Sequence, residues 1–198
     1  MHNAAFITTT LLLSRLHDDA DEEAWNQFDR RFRKVLIATA GRLGLSGSDA
    51  EDAAQETMLQ ALRDYRAGRY DRTRGRLSSW ILGIAHNRIT DAKRRGARRR
   101  NLPEHTPACD EAALSEAFEG ELEREIFNQA WETVRDRSQM APSTLLAFEL
   151  TALRSVPAIE AARQSELTVE QVYVARTRVA KRLREVVEEL DRAVRDGL

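Results

Sequence analysis

The stretch YRAGRYDRTRGRLSSWILGIAHNRITDAKRRGARRR, residues 65 to 100, decides how the chain is read. It opens as a loop in which Gly68 and Gly75 stand among Arg66, Arg69, Arg72, Arg74 and Arg76, and it turns apolar at Leu77. From Ser78 to about Gly96, Ile81, Ala85, Ile89 and Ala92 recur at the spacing of one buried helix face. The opposite stripe carries Trp80, Asn87, Asp91, Arg94 and Arg98. Aromatic, amide and cation in succession suit bases that stack and phosphates that pair with arginine. The same residues also describe a core tryptophan ahead of a helix end whose cations complement the macrodipole. Between residues 63 and 100, thirteen arginines and lysines face three aspartates, the electrostatic footprint of a phosphate-backbone binder.

The remainder of the composition narrows the class. A chain of 198 residues admits one large domain or two small ones. Its net charge of −1 hides an asymmetry, because eight acidic residues between Glu104 and Glu125 oppose only Arg124 directly after the basic block. One cysteine, Cys109, excludes an internal disulfide, and His2, His17, His86 and His105 lack ligand spacing, so neither a metal nor a cofactor is expected. The carboxylates sit on amphipathic helices or in the acidic block, and no phosphate-cradling glycine loop follows a strand, so an enzyme is not expected. Leu11 to Leu13 is too short a run for a leader or a membrane span, which points to a soluble, cytoplasmic protein.

Working outward, sparse glycine and proline and the absence of β-branched alternation predict an all-α fold. A short helix is expected over Leu11 to His17. A second opens at Asp21 as its cap and carries Trp25, Phe28, Phe32, Leu36, Ala40 and Leu43 up to Gly44. The third starts with a capping box of Ser48 and Glu51. It separates Ala54, Met58, Ala61, Leu62 and Tyr65 from Asp52, Gln55, Glu56, Leu59 and Arg63, a face that a solvated surface alone would explain. From about Ala97 to Gly120 the periodicity fades around Pro103 and Pro107, which reads as a flexible acidic linker. Beyond it, Leu122, Ile126, Ala130 and Val134, and then Leu146, Phe148, Leu150 and Leu153 after a helix start at Pro142, supply a second core. A short helix from Pro157 to Gln164, a turn over Ser165 to Leu167 and a longer helix capped by Thr168 have helix-turn-helix spacing. That last helix buries Val172, Val179 and Leu183 and turns Gln171, Tyr173, Val174, Arg178, Lys181 and Arg182 outward.

Three segments, DAEDAAQETMLQAL at 49 to 62, RLSSWILGIAHNRITDAKRR at 76 to 95 and TVEQVYVARTRVAKRLREV at 168 to 186, together resemble the sigma-70 family of bacterial RNA polymerase sigma factors, of the extracytoplasmic function (ECF) type. The resemblance implies sigma region 2 over residues 1–98, a linker over 99–120 and sigma region 4 over 121–198. It implies that Asp52, Gln55, Glu56 and Leu59 dock on the clamp helices of the largest subunit of core RNA polymerase, with the flap of the second subunit as a further contact. Tyr70 then stacks on a base flipped from the −10 promoter element, Arg69, Arg72, Arg74 and Arg76 hold the phosphates of the strand, and Trp80, His86, Asn87, Arg88, Asp91, Arg94, Arg95 and Arg98 complete the −10 residues along the helix. Thr168, Gln171, Tyr173, Val174, Arg176, Arg178 and Lys181 correspond to the helix that meets the −35 element in promoter DNA. An anti-sigma protein is the further partner the family brings, and no membrane is involved. The sequence departs from the family pattern at Pro157, at Ser165 in place of a buried leucine, and at Glu166 in place of a turn glycine, so the turn is expected to be rebuilt. The alternative reading is a helix-turn-helix regulator acting without polymerase, which leaves the Asp52–Gln55–Glu56 face and the Tyr70 loop without roles.

Overall fold

The computed structural model describes residues 9–18, 21–99 and 109–195. Among them are eight α-helices and no strand, as the apolar spacing predicts. The chain divides into two compact units, residues 1–125 with 191–198, and residues 126–190. No helix among the described residues is long and apolar enough to cross a membrane.

In the first unit, α1 (Thr9–Arg15) leads to α2 (Glu22–Arg42), α3 (Gly47–Arg66) and α4 (Leu77–Arg99). Asp21 caps α2 by accepting the Ala24 amide at 2.9 Å, and Arg15 holds the same carboxylate at 2.6 Å. Phe28, Phe32, Leu36 and Ala40 are buried along α2, and Gly44 ends it at φ +89°, a conformation that glycine adopts without a Cβ clash. The cap of α3 differs from the expected one. Ser46 rather than Ser48 takes the N-cap position, in extended backbone, and its Oγ accepts the Asp49 amide at 3.3 Å. Serines flank Gly47 on both sides, and the helix begins at the earlier one, which places Ser48 and Glu51 inside its first turns. Ala54, Met58 and Ala61 are buried against the neighbouring helices, while Leu62 and Tyr65 are half-buried.

The expected linker is also corrected. The fourth helix continues to Arg99, and α5 (Glu111–Arg137) begins well before Gly120, leaving only residues 100–108, Pro103 and Pro107 among them, outside the described structure. Leu114, Ala117, Phe118 and Leu122 are buried along α5 at helical spacing. Its glutamates are strong helix formers on the other positions, so acidity here marks a helix surface and not a bare connector. Glu121 pairs with Arg42 at 3.2 Å, which ties this stretch to α2.

The second unit joins the later part of α5 to α6 (Pro142–Phe148), a π-helical turn (Glu149–Leu153), α7 (Ala158–Ser165) and α8 (Val169–Arg195). Its core packs Ala147, Leu150, Ala161, Ala162, Val172 and Ala175. Two residues assigned to this core lie outside it, since Leu146 and Leu153 are 38% and 39% exposed while Phe148 and Leu150 between them are buried.

The turn between α7 and α8 keeps the glycine-like conformation that the sequence led us to doubt. Glu166 itself sits at φ 57°, ψ 37°, and Leu167 N–H closes back on Ala162 O at 3.0 Å. Ser165, in the place of a buried leucine, satisfies its hydroxyl by donating to Ala161 O at 2.6 Å. The left-handed conformation costs a side-chain-bearing residue about 1–2 kcal/mol. Part of that is returned when glycine loosens the unfolded chain, so Glu166→Gly is expected to stabilise the second unit by about 0.5–1 kcal/mol. The shift of the urea midpoint at unchanged slope measures it.

Candidate nucleic-acid interface

The third helix ends in a form dictated by Gly68. With φ +72°, Gly68 donates to Tyr65 O and Arg69 donates to Asp64 O, both at 2.9 Å, which closes the helix and throws the chain into the basic loop. Asp71 then accepts the Thr73 amide at 2.9 Å and its hydroxyl at 2.7 Å, nucleating the single 3-10 turn Arg72–Arg74. These bonds hold the Asp71 carboxyl below its ordinary range. Tyr70 points back across the loop, donates its hydroxyl to Gly75 O at 3.3 Å, and lies 5.2 Å from Trp80. Tyr65 is 6.3 Å from Tyr70 and 4.8 Å from His17, so an aromatic row runs from the end of α1 to the start of α4. Burial pushes both tyrosine phenols up.

Beside this row is a cavity of about 370 Å³ lined by Arg69, Tyr70, Arg74, Arg76, Ser79 and Trp80 among others. Trp80 is half-buried, neither a core tryptophan nor a free ring. Its contact with Tyr70 leaves no gap for a ring between the two, so any planar ligand meets their outer surfaces. The cavity offers guanidinium groups, a serine hydroxyl, two aromatic rings and the Asp71 carboxylate, a largely cationic and aromatic set suited to a planar ring that carries an anionic group.

Along α4 the expected residues fall into two groups. Asn87, Asp91, Arg94, Arg95 and Arg98 are exposed on the outward stripe. His86 and Arg88 are half-buried and engaged. The His86 imidazole meets Cys109 O at 2.9 Å, and Arg88 Nη2 donates to Gln60 Oε1 at 3.2 Å while its Nε is buried without a partner. The basic end of α4 is tied to α3, with Arg95 on Glu56 at 3.4 Å and Arg99 on Asp49 at 2.5 Å. Arg99, followed by Ser46, holds the Asp49 carboxyl below its ordinary range.

The outer face of α3 presents Asp52 and Gln55 exposed, Glu56 half-buried and Leu59 42% exposed, an apolar side chain in a polar rim. On α8 the expected face is likewise outward. Tyr173 and Val174 are 54% and 66% exposed, with Arg176, Arg178 and Lys181 beside them, while Val172, Ala175 and Val179 point inward. Thr168 and Gln171 are engaged with each other, Thr168 N–H on Gln171 Oε1 at 2.8 Å and Gln171 N–H on Thr168 Oγ1 at 3.2 Å, a capping box at the start of α8.

Residues 28–99, from Phe28 on α2 to the end of α4, match the family described as sigma-70 region 2. Over those residues the chain resembles sigma-70 region 2. Its sequence is similar to the ECF RNA polymerase sigma factor SigM of Mycobacterium tuberculosis, in the Erdman and H37Rv strains alike, at 32% identity over 102 residues. That alignment takes in 50% of this chain and 50% of each relative, so the chain spans about half the length of the curated relatives it matches. Among solved structures it is similar to CnrH in complex with the cytosolic domain of CnrY, at 18% identity over 91% of this chain and 97% of that one, with a TM-score of 0.36. Tyr70, Arg74, Arg76 and Trp80, all named from the sequence, line one cavity. Gln60 and Asp64 were not named from it, although an i, i+4 amide–carboxylate pairing on α3 signals them.

Proposed function

We propose that this chain is a promoter-specificity subunit of RNA polymerase, a sigma factor of the ECF type. The observation that carries the reading is the conjunction, within residues 28–99, of the Tyr70–Trp80 cavity rimmed by arginines with the exposed Gln55–Leu59 face on the preceding helix. The sigma-70 match over the same residues and the similarity to a named ECF sigma factor support it.

In this reading Asp52, Gln55, Glu56 and Leu59 dock on the clamp helices of core polymerase. An apolar anchor inside a polar rim gives a dry contact with charge steering. The Tyr70 cavity takes an unpaired base of the −10 element, and Arg72, Arg74, Arg76, Arg94, Arg95 and Arg98 take its phosphates. Asn87, exposed on α4, reads a base edge, since an amide both donates and accepts. Capture of an extruded base repays unstacking, which makes strand opening selective for sequence. The outward face of α8 meets the −35 element, with Val174 and Tyr173 as apolar contacts and Arg176, Arg178 and Lys181 on phosphates. Residues 1–98 act as sigma region 2 and residues 121–198 as sigma region 4. The flap of the second polymerase subunit and an anti-sigma protein complete the partners, and the cytoplasm is the working compartment. The mechanism is binding energy and no bond is made or broken.

Copurification with bacterial core polymerase tests the reading. Wild-type chain is retained, and Gln55→Ala with Leu59→Ala lowers affinity at least about tenfold, roughly 1.4 kcal/mol, with the helical circular dichroism unchanged. Failure of folded wild-type chain to bind core polymerase, together with tight binding to duplex DNA alone, would identify a stand-alone helix-turn-helix regulator instead.

A further inference from the structure

Asp64 lines no part of the Tyr70–Trp80 cavity and lies outside every set of contact residues assigned above. We infer that it is nevertheless a positioning residue for strand capture, holding Arg69 at the cavity mouth as one end of a hydrogen-bonded relay that reaches α4 through Gln60 and Arg88. This rests on the sigma-factor reading and names a further residue of the same site.

Two bonds fix Arg69, and both come from Asp64. The backbone carbonyl of Asp64 accepts the Arg69 amide at 2.9 Å, and Oδ1 accepts Arg69 Nη1 at 2.6 Å. The same Oδ1 accepts Gln60 Nε2 at 2.8 Å. That bond orients the Gln60 amide, whose Oε1 is then turned to accept Arg88 Nη2 and Arg63 Nη2, each at 3.2 Å. A flipped amide would set its NH2 against two guanidinium groups and its oxygen against a carboxylate, so only one arrangement makes all four side-chain bonds. An exposed ion pair is ordinarily worth little. Here the carboxylate is 16% exposed against 66% for its arginine, so Asp64 is the fixed partner and Arg69 the group it presents. Arg69 directly follows the left-handed Gly68, where the chain leaves the helix and its direction is set by few other bonds. Its guanidinium lines the cavity beside Tyr70 and Arg74. The far end of the relay lies on the helix proposed to read the −10 element, so one carboxylate sets the loop relative to that helix.

The charge of Asp64 makes the inference testable against simple electrostatics. Removing an acid from a surface that binds DNA raises affinity if the acid acts only as a repulsive charge. Positioning demands the opposite sign. The probe is a fluorescein-labelled, random-sequence single-stranded oligodeoxynucleotide of about 12 nucleotides, bound by the full chain on core polymerase and followed by anisotropy. Asp64→Asn and Arg69→Ala are each expected to weaken binding about fivefold to tenfold, and the double variant to be no weaker than Arg69→Ala alone. Asp64→Glu, which keeps the charge, is expected to recover most of the loss, which a general loss of stability would not do. Measurements are made below the melting transition of every variant. Tighter or unchanged binding by Asp64→Asn overturns the inference, and so does an additive double variant. A wild-type holoenzyme that fails to bind the oligonucleotide removes the sigma-factor reading and the inference with it.

Discussion

Phe32→Ala is expected to cost the first unit about 3–5 kcal/mol, a large share of the 5–15 kcal/mol that holds a domain of ordinary size together. Phe32 is fully buried on α2, one turn beyond Phe28, which is also fully buried. The two rings meet edge to face with centroids 5.6 Å apart, so the truncation removes an aromatic pair as well as apolar area. Phe28, Val35 and Leu36 sit on the same rigid helix and cannot slide into the space, which leaves a cavity in place of a collapsed core. In a thermal scan followed by circular dichroism the loss corresponds to a fall in midpoint on the order of 10–20 °C. Leu59→Ala on the outer face of α3 is the matched control and shifts stability by less than about 0.5 kcal/mol, because Leu59 is 42% exposed and truncation opens no cavity. A small shift for Phe32→Ala would mean that α2 is not the centre of the core. A large shift for Leu59→Ala would mean that its effect on polymerase binding cannot be separated from folding.

The contrast between those residues was legible in the sequence, and the reasons set the limits of such reading. Helical spacing assigned Phe28, Phe32, Leu36, Ile81, Ala85 and Ile89 to a buried side because each helix presents one stripe to one core. The same rule applied to residues 111–120 would have found Leu114, Ala117 and Phe118. It was masked because glutamates crowd the intervening positions and two prolines precede them. Local alternatives of nearly equal quality were also beyond sequence. Serines flank Gly47 on both sides, and which one caps α3 depends on where α2 releases the chain. Glu166 takes a left-handed conformation because the packing of α7 on α8 demands that turn, and the strain is overcome by burial elsewhere. Least visible were the ties between helices. Arg88 to Gln60 spans 28 residues, Arg95 to Glu56 spans 39 and Arg99 to Asp49 spans 50, all set by how α4 lies on α3. Periodicity gives the face a residue occupies, and it does not give which neighbouring helix covers that face. His86 and Arg88, assigned to the −10 helix by resemblance and not by periodicity, are half-buried and hydrogen-bonded to Cys109 O and Gln60 Oε1, partners that spacing alone does not give.

Val172→Asp is expected to unfold the second unit, and Val174→Asp, two residues along the same helix, is expected to leave it folded. Val172 is fully buried in the cluster with Ala147, Leu150, Ala161, Ala162 and Ala175, and no cation lies in that cluster to pair with a carboxylate. A buried acid in this setting is held neutral, and protonating an aspartate of ordinary pKa at pH 7 costs about 4 kcal/mol. Loss of the valine contacts and burial of a hydroxyl without an acceptor add to that. The penalty has a sign in pH. The folded-state pKa of the new carboxyl is raised, so the protonation cost falls as pH drops toward its unfolded value and grows as pH rises. The variant should therefore be least unstable in mild acid, against the trend of the wild type. Val174 is 66% exposed, so an aspartate there keeps its water. Its charge instead faces the DNA in the proposed arrangement, and the −35 contact should weaken with no change in melting. Amide hydrogen exchange separates the two outcomes, since Val172→Asp exposes the α7 and early α8 amides to exchange while α2, α3 and α4 stay protected. Protected α7 amides in Val172→Asp would mean that the turn and its alanine-rich cluster hold without the valine, and that the order of the helix-turn-helix comes from the helices themselves.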